Sequence, residues 1–464
     1  MAQSKPVEQT AFDTIVVGGG LSGLYAARVL SNAGQRVAVL EARDRVGGLT
    51  CSEYSEYLGE HVDLGGAWLA DVHTRMHELV QEFNVPLVPQ YVTGKEVAID
   101  GETRHTGEVG SFPGRESALP ELQTVMAKFE SALAGLDIDA PWAHAQAHEL
   151  DSMTFAIWIS QNVKSPNLRA LMTASTNAFF GVRPEEVSCL EAMHLFKTCG
   201  DILLMGDTNT GGQSAHMMGS QLVSEGLVSK VNGVVSLSSP VRRILQDDQG
   251  VTVECDETTW RGKHVICALP PVMINRLEFE PMLPAYRREF HQRCPMGRYA
   301  KAILTYETPF WRNQDLSGVV MSIDNSMTGI FDLGDTESKR GVITVLFGGE
   351  TSIQLDNATE AERDQIILDL AAKSLGEQAR NPVQMVVKQW AAEPWSHGGA
   401  CSYMTPGTLT TIGDRLWESC GRVYWAGTHL SRVWRGYMEG ACASGEAAAN
   451  TVLAACNENA PANV

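Results

Sequence analysis

The stretch that most constrains the fold lies near the amino terminus and reads FDTIVVGGGLSGLYAARVLSNAGQRVAVLEARDRVGG. The apolar run at residues 13–17 predicts a buried strand, and the alanine-rich run at 21–33, which ends before Gly34, predicts a helix. A second apolar run at 37–40 predicts another strand parallel to the first. Strand, helix and strand in this order form a βαβ unit, so we expect an α/β fold.

Three glycines, Gly18, Gly20 and Gly23, form a GxGxxG pattern directly after the first strand, and Glu41 ends the second. A tight turn requires the first glycine, close approach of a pyrophosphate requires the second, and packing of helix against strand requires the third. The free N–H groups of the helix N-terminus would bind the anion, and Glu41 would accept hydrogen bonds from a ribose diol. This context predicts a dinucleotide site, with a glycine-rich turn that binds no ligand as the alternative.

Charge and composition narrow the class of protein. The chain has 464 residues, 44% of them hydrophobic, which is enough for two or three domain cores. Its 36 basic and 55 acidic residues leave a net charge of -19, so we expect no nucleic-acid partner. A leader-like or membrane-spanning apolar run is missing from the sequence, and we expect a soluble, cytoplasmic protein without a membrane anchor. The ten cysteines are scattered without CxxC pairs, which predicts reduced thiols and no metal site.

Further strand-like runs suggest how the chain is divided. They occur at 234–244, 250–255, 264–270 and 421–428, before a long helix rich in small residues. Between them lie a helical, polar stretch at about 92–215 and a stretch at about 285–390, where KAILTYE, GVITVLF and QMVVKQW alternate with a helix. We predict a nucleotide-binding domain from residues 1–91, 216–284 and 391–464, and a second, substrate-binding domain from 92–215 and 285–390.

Several ordered motifs resemble those of one family. LEARDRVGG is followed by DLGGAW at 63–68, TNTGGQSAHMMGSQ spans 208–221, and YWAGT precedes WRGYMEGACASGEAA near the carboxyl end. Together they resemble the flavin amine oxidase family, which includes monoamine and polyamine oxidases, over nearly the whole chain. The resemblance implies an α/β fold with a glutathione-reductase-like, FAD-binding Rossmann domain and an inserted α+β substrate domain. It also implies FAD-dependent oxidation of an amine to an imine, which hydrolyses to an aldehyde or ketone plus ammonia, while oxygen becomes hydrogen peroxide.

The resemblance also implies which residues contact the cofactor. A helix N-terminus near residues 436–438 would direct its positive end at the flavin ring. The residues expected to bind FAD are Gly18, Gly20, Gly23, Glu41, Arg43, Gly48, Gly66, Ala67, Trp68, Val241, Trp390, Gly427, Thr428 and Met438.

Two residues are implied to be catalytic. Lys301, in CPMGRYAKAILTYETPFW, matches a family lysine that is hydrogen-bonded through water to the flavin, and burial would lower the pKa of its ammonium. The alternative is a lysine on an edge strand that extends to solvent. Tyr437 matches one wall of the aromatic cage that directs the amine toward the flavin, with an ordinary core tyrosine as the alternative.

The segment PWSHGGACSYMTPG, at 394–407, bears on how the flavin is held. In the mitochondrial monoamine oxidases a cysteine of the similar segment is bonded to the flavin. The position of that cysteine falls on Gly399, two residues before Cys401. We therefore predict non-covalent FAD, with Cys401 packed near it.

The same comparison predicts a wide substrate cavity. The second wall of the cage falls on Ala400, and Gly206 stands where some relatives have a bulky side chain. Phe179 and Phe180 are candidate walls, and Gln213 matches a glutamine that lines the family's substrate cavity. The predicted substrate is a bulky or long primary amine rather than a small arylethylamine.

Other interpretations stay open from the sequence. Leu49 replaces the arginine of the usual GGR, and His429 replaces the glutamate of the usual AGTE, so some cofactor contacts differ from the family pattern. The alternatives are a polyamine oxidase, an L-amino-acid oxidase with a carboxylate-binding arginine, and an inactive flavin-binding scaffold. The candidate arginines are Arg183, Arg298 and Arg435. The expected partners are an amine and oxygen, and a homodimer is left open.

Overall fold

The computed structural model describes residues 11–111, 113–200, 202–324 and 326–458. The outer ends of the predicted nucleotide-binding domain, 1–10 and 459–464, lie outside the described residues. The strands are β1 (Phe12–Val17), β2 (Val37–Leu40), β3 (Ser52–Ser55), β4 (Glu60–Asp63), β5 (Trp68–Leu69), β6 (Leu87–Pro89), β7 (Lys95–Asp100), β8 (Thr103–Glu108), β9 (Ala215–Met217), β10 (Gly233–Ser236), β11 (Val241–Asp247), β12 (Gly250–Cys255), β13 (Thr259–Cys267), β14 (Glu278–Glu280), β15 (Tyr299–Tyr306), β16 (Leu316–Ser322), β17 (Gly329–Asp332), β18 (Gly341–Gly348), β19 (Gln384–Gln389) and β20 (Val423–Trp425).

The α-helices connect and cover these strands. They are α1 (Leu21–Asn32), α2 (Thr74–Glu82), α3 (Leu119–Leu133), α4 (Ala147–Ser152), α5 (Phe155–Asn162), α6 (Pro166–Phe180), α7 (Cys189–Thr198), α8 (Ile202–Gly206), α9 (Ser220–Val228), α10 (Pro271–Ile274), α11 (Ala285–Gln292), α12 (Gly349–Asn357), α13 (Glu360–Leu375), α14 (Thr408–Ile412) and α15 (Met438–Glu458).

An eight-stranded sheet carries the predicted βαβ unit. Its order is β10-β2-β1-β13-β12-β11-β14, with β20 beside β13. Strands β10, β2, β1, β13 and β20 are parallel to their neighbours in that part of the sheet, while β12 runs antiparallel to β11 and β13. The parallel strands β1 and β2 are largely buried, as expected where helices cover both faces of a sheet. Helices α1 and α15 pack on each other, which brings the carboxyl-terminal helix to the glycine turn.

A seven-stranded sheet forms the other large layer, in the order β19-β15-β18-β17-β16-β7-β8. Its side chains alternate between two faces, as the two-residue period of a strand requires. One face, which includes Val97, Ala300 and Ala302, packs into an apolar core with Ile367 of α13. The other face is therefore directed away from that core, and Lys301 belongs to it.

Two expectations about the strands were wrong, and one alternative is excluded. The run at 234–244 is two strands, because Ser238 has a φ of +50° and Pro240 cannot donate a backbone hydrogen bond. The stretch at 92–215 is not wholly helical, since β7 and β8 join the seven-stranded sheet. Strand β15 lies between β18 and β19, so Lys301 is not on an edge strand. The division of the chain into two domains stays a prediction.

Candidate active site

A cavity of about 1040 Å³ is lined by segments of both large sheets and by the start of α15. Its size is at the upper end of the roughly 300–1,000 Å³ that is usual for small-molecule sites. All of the predicted site residues except Gly23 and Phe180 line it, namely Gly18, Gly20, Glu41, Arg43, Gly48, Gly66, Ala67, Trp68, Phe179, Gly206, Gln213, Val241, Lys301, Trp390, Ala400, Gly427, Thr428, Tyr437 and Met438. The structure thus brings together residues that are hundreds of positions apart in sequence. Their individual roles stay predictions.

The glycine turn has the shape that a dinucleotide needs. Gly18 has a φ of +108°, a conformation that favours glycine, and a Cβ on Gly48 would lie 3.2 Å from the Cα of Gly20. Gly20 caps α1 without any side-chain hydrogen bond, so the helix N-terminus faces the cavity uncovered. Gly23 lies beneath the turn, where a Cβ would come within 2.0 Å of the Gly18 carbonyl oxygen. These contacts fit an anionic pyrophosphate at the turn.

Two charged residues beside the turn fit the rest of a dinucleotide. Glu41 is 3% exposed, and its carboxylate accepts the N–H groups of Gly19 at 2.7 Å and Arg43 at 2.9 Å. Arg43 lies 3.3 Å from Glu393, yet its Nε and Nη2 have no hydrogen-bond partner within the described residues. A buried guanidinium with unused donors costs free energy unless a ligand completes it. The residues present therefore fit bound FAD.

Lys301 lies on β15 with only 4% of its surface exposed. Its Nζ donates a hydrogen bond to the Gly65 carbonyl oxygen at 3.1 Å and lies 5.0 Å from the centre of the Trp68 ring. Burial lowers the pKa of Lys301 to about 8, although the negative charge of Asp63 opposes this shift. The expected burial is confirmed, and the alternative of a solvent-exposed edge lysine is wrong.

Tyr437 lies just before α15, and one hydrogen bond and two ring contacts hold its side chain. Its hydroxyl donates to the Met205 carbonyl oxygen at 3.2 Å. The rings of Trp434 and His73 pack edge-on against it, at centroid distances of 5.0 and 5.7 Å. Burial lowers the pKa of His73 to about 3, so this ring is neutral. The sequence did not indicate His73 as a site residue, because its only signal was a second histidine four residues later.

The Cys401 thiol is a packing group in this site. Its Sγ donates to the Phe179 carbonyl oxygen at 3.3 Å. Burial raises the pKa of Cys401 to about 12, so the thiol stays protonated and unreactive. At the position where relatives carry the bonded cysteine, Gly399 has no side chain.

The substrate part of the cavity is open near Ala400. Ala400 is exposed to the cavity without a ring, and a Cβ on Gly206 would meet nothing within 4 Å. Phe179 lines the cavity, whereas Phe180 is fully buried against Phe196 and does not form a wall. The sequence missed most of the apolar lining, because it comes from segments whose proximity only the fold reveals, including Leu171, Met172, Leu204, Phe331 and Leu346.

The two departures from the family pattern have local explanations. Leu49 reaches toward Gly399, where a Cβ would lie 3.8 Å from its Cδ2, so an apolar side chain fills that place. His429 is buried and packs parallel to the Phe290 ring at 6.2 Å. Burial, helped by the charge of Arg287, lowers the pKa of His429 to about 3. The group that replaces the usual glutamate is therefore neutral.

One cavity is lined by a glycine-turn dinucleotide site, a buried lysine and a tyrosine, which is the arrangement of a flavin-dependent amine oxidase. The chain belongs to the family described as flavin containing amine oxidoreductase, whose sequence profile matches residues 21–453. It is 35% identical to a probable flavin-containing monoamine oxidase A of Dictyostelium discoideum, over 94% of this chain and 96% of that protein. It is 32% identical to a putrescine oxidase of Kocuria rosea, over 96% and 95% of the two chains. The solved cyclohexylamine oxidase of Brevibacterium oxydans IH-35A superposes with a TM-score of 0.91 and 30% identity, covering 97% of this chain and 100% of that one.

These comparisons confirm the fold class and the cofactor. The protein is an α/β enzyme with a Rossmann-type, FAD-binding part and a second sheet, and its cofactor is FAD. Within the described ranges, no helix is both long and apolar enough to cross a membrane. The same ranges contain no three His, Cys, Asp or Glu side chains grouped to hold a metal ion.

Proposed function

We propose that this protein oxidises a bulky or long-chain primary amine to an imine, which water hydrolyses to an aldehyde or ketone plus ammonia. The observation that carries the proposal is that Lys301 and Tyr437 line the same cavity as the glycine turn. FAD held at the turn of Gly18 and Gly20 and beside Glu41 would supply the acceptor for the hydride on the carbon next to the nitrogen, and its reoxidation by oxygen would yield hydrogen peroxide.

The chain's own residues position the amine and manage charge. The Tyr437 ring, fixed by its bond to Met205 and by Trp434, forms one apolar wall that excludes water. The Lys301 ammonium uses one of its three donors on Gly65 and can offer the others to a water or to developing negative charge. A pKa of about 8 lets this group be cationic at neutral pH and neutral in mild base.

The absence of bulky side chains at two positions of the cavity favours a large substrate. Ala400 and Gly206 leave open the places where relatives carry bulky groups, and the lining is mainly apolar. An apolar cavity gains about 25 cal/mol for each Å² of apolar substrate surface that it buries, so a long or bulky amine would bind better than a small one.

An amino-acid oxidase is the weaker alternative, because each candidate arginine is already paired. Arg183 contacts Glu350 at 2.9 Å on the surface, and Arg298 contacts Glu186 at 2.6 Å. Arg435 lines the cavity but is ion-paired with Glu191. Binding a substrate carboxylate would require breaking one of these pairs. Family membership supports an enzyme rather than an inactive scaffold.

We further propose that FAD is held without a covalent bond, since Gly399 carries no thiol and Cys401 is protonated and turned toward Phe179. Acid precipitation of the purified protein should leave the yellow flavin in the supernatant, both for the parent and for Cys401→Ala. Colour that stays in the pellet of the parent but not of the variant would show a thioether to Cys401.

The proposed activity is tested by anaerobic mixing of the purified flavoprotein with a panel of amines. Long-chain or bulky primary amines should bleach the flavin faster than benzylamine or phenylethylamine, and later addition of air should restore the colour with release of hydrogen peroxide. A preference for the two small amines contradicts the size argument. No bleaching by any amine contradicts the proposed activity.

A further inference from the structure

The loop that carries Tyr437 has a strained backbone. This loop, residues 431–437, ends at the start of α15 and is called the Tyr437 loop. Trp434 has a φ of +45° and Gly436 a φ of +87°. Glycine adopts such left-handed angles freely, but a tryptophan does so only where other contacts hold the backbone. Contacts with the rest of the chain are therefore needed to fix this loop.

Helix α7 supplies these contacts on one side of the loop. The Trp434 N–H donates to the Thr198 carbonyl oxygen at 2.9 Å. Arg435 forms an ion pair with Glu191, and its Nη1 donates to Nδ1 of His194 at 3.1 Å. Glu191 and His194 are three residues apart and so lie on one face of α7. The guanidinium of Arg435 thus joins the loop to a single face of this helix.

The Arg435–Glu191 pair is buried more completely than stability requires. Its two side chains are 2% and 0% exposed, whereas those of the ion pair between Arg183 and Glu350 are 52% and 69% exposed. Within the described ranges, Nε of Arg435 and Oε2 of Glu191 have no hydrogen-bond partner. Removal of two charges from water costs more than their attraction returns unless their remaining polar atoms are also bonded. Stability alone therefore does not explain the pair.

The other side of the Tyr437 loop borders the cavity, which Arg435, Gly436 and Tyr437 all line. The Gly436 N–H donates to Oγ1 of Thr428 at 2.8 Å, and this hydroxyl donates to the Tyr437 carbonyl oxygen at 3.0 Å. A Cβ on Gly436 would lie 3.3 Å from the Cβ of Cys401, so the backbone is also enclosed. Because only Gly436 separates Arg435 from Tyr437, movement of the first would displace the ring of the second.

We propose that Arg435 is a positioning residue, whose ion pair with Glu191 fixes the Tyr437 loop against α7 and so sets the place of the Tyr437 ring in the cavity. Arg435 does not act on the amine itself, because Glu191 compensates its charge. The kinetic consequence rests on the proposed amine oxidase function, since a displaced ring would orient the amine poorly. A displacement of about 1 Å can slow an enzymatic step by about 100-fold.

The double variant Arg435→Met/Glu191→Leu tests the proposal without leaving an unpaired buried charge. Apolar replacement of both members of a buried pair is often neutral for stability, so we expect a thermal midpoint close to the parental value. The N–H groups of Trp434, Gly436 and Tyr437 are hydrogen-bonded in the parent. In the flavin-bound variant, hydrogen exchange measured by mass spectrometry should be at least about tenfold faster in peptides that cover 433–437, and parental in those that cover β1 and α1. Parental exchange at 433–437 would overturn the proposal.

Flavin reduction provides a second readout, which a merely structural pair would not change. With a saturating amine, the rate of anaerobic flavin reduction should fall at least about tenfold in the double variant, while reoxidation of the reduced flavin by oxygen stays parental. Parental rates in both half-reactions would show that the pair does not position Tyr437. Arg183→Met/Glu350→Leu makes the same changes at an exposed ion pair and should match the parent in exchange and in both rates.

Arg435→Lys decides the question if the double variant does not fold. Lysine keeps a cation for Glu191 but lacks the planar fork that also reaches His194. We expect exchange at 433–437 to be at least about threefold faster and flavin reduction at least about threefold slower than in the parent. Parental values of both would overturn the proposal. Failure of every amine to bleach the parent flavin contradicts the proposed function, and hydrogen exchange then still tests the role of Arg435 in the loop.

Discussion

At the scale of single residues, the main feature of the site is a charged group, the Lys301 ammonium, that is buried away from water. Lys301 is buried between two neighbouring strands, where the Gly65 carbonyl and the Trp68 ring contact its ammonium and the negative charge of Asp63 also stabilises it. Burial of an ammonium in this way costs folding free energy. A functional role explains better than packing why the protein tolerates that cost.

Lys301→Met tests that role. The variant keeps an unbranched side chain that is one atom shorter but removes the cation that would stabilise negative charge where oxygen is reduced. We expect oxygen-dependent turnover to fall at least about tenfold, while anaerobic bleaching by an amine changes less. In the parent, the oxygen step should slow as pH rises past about 8, because Lys301 then loses its proton.

The matched control is Lys263→Met, since Lys263 is an exposed lysine with 65% of its side chain accessible. It should retain parental rates in both half-reactions. Equal turnover of Lys301→Met and this control would show that Lys301 has no role in the reaction with oxygen.

Ala400→Tyr tests the open side of the cage. A ring at this position would complete the second wall and narrow the cavity, so we expect the ratio of kcat/KM for phenylethylamine over a long-chain amine to rise about tenfold or more. Ala392→Tyr, which adds the same ring at an exposed position two residues before that segment begins, should leave the ratio at the parental value. An unchanged ratio in Ala400→Tyr would mean that Ala400 does not border the reacting amine.

At the scale of elements, the packing of α1 on β1 sets the position of the dinucleotide turn. Gly23→Ala would place a methyl within 2.0 Å of the Gly18 carbonyl oxygen, and overpacking against rigid backbone costs about 3 kcal/mol or more. We expect a thermal midpoint several degrees lower and loss of flavin during gel filtration.

Gly34→Ala is the comparison, because it also replaces a glycine next to α1. Gly34 has a φ of +83° and no atom within 4 Å of its Cβ position, so this variant carries only the conformational cost of about 1 kcal/mol. Retention of flavin by Gly23→Ala at the level of Gly34→Ala would contradict the packing argument.

Sequence patterns predicted some elements well and others poorly, for physical reasons. Strand β1 ends in the apolar run 15–17 directly before Gly18, strand β2 is a wholly apolar run, and Gly18 in the turn between β1 and α1 has a positive φ, so local signals sufficed. Strands β7 and β8 read KEVAID and TRHTGE, and their polar character concealed a place in the seven-stranded sheet. Their membership depends on pairing with β16, more than two hundred residues later, which no local pattern reports.

The residues of the site also divide into those that sequence motifs reveal and those that only the fold reveals. Residues carried by ordered motifs, such as Lys301 and Tyr437, could be predicted by resemblance to the family. Two other residues could not be predicted, because only tertiary packing makes Glu96 line the cavity and sets the His73 ring against Tyr437.

At the scale of the whole molecule, buried neutral histidines link folding to pH. Burial lowers the pKa of His73 and of His429 to about 3, of His216 to about 4 and of His291 to about 2. In the unfolded chain these groups titrate near 6.5, so the unfolded state binds more protons between these values and pH 6.5. Their contribution to stability is therefore complete above about pH 6.5 and is lost as pH falls, by about 1.4 kcal/mol for each histidine and pH unit.

We expect the thermal midpoint to be nearly constant from pH 8 to 7 and to fall steeply below pH 6. His429→Gln should make the acidic limb shallower, because one titrating group is removed, whereas His148→Gln, at an exposed position, should not. A midpoint that is independent of pH down to pH 5 would contradict the buried, neutral state of these histidines.

We propose that one cavity holds the flavin between Lys301 and Tyr437. The most direct measurement is a crystal structure of the flavin-bound protein soaked anaerobically with a long-chain primary amine. We expect an isoalloxazine ring with the Lys301 ammonium on one side, the amine against the Tyr437 ring on the other, and no covalent bond between flavin and protein. A flavin ring placed elsewhere in the cavity, or an amine bound away from Tyr437, would contradict it.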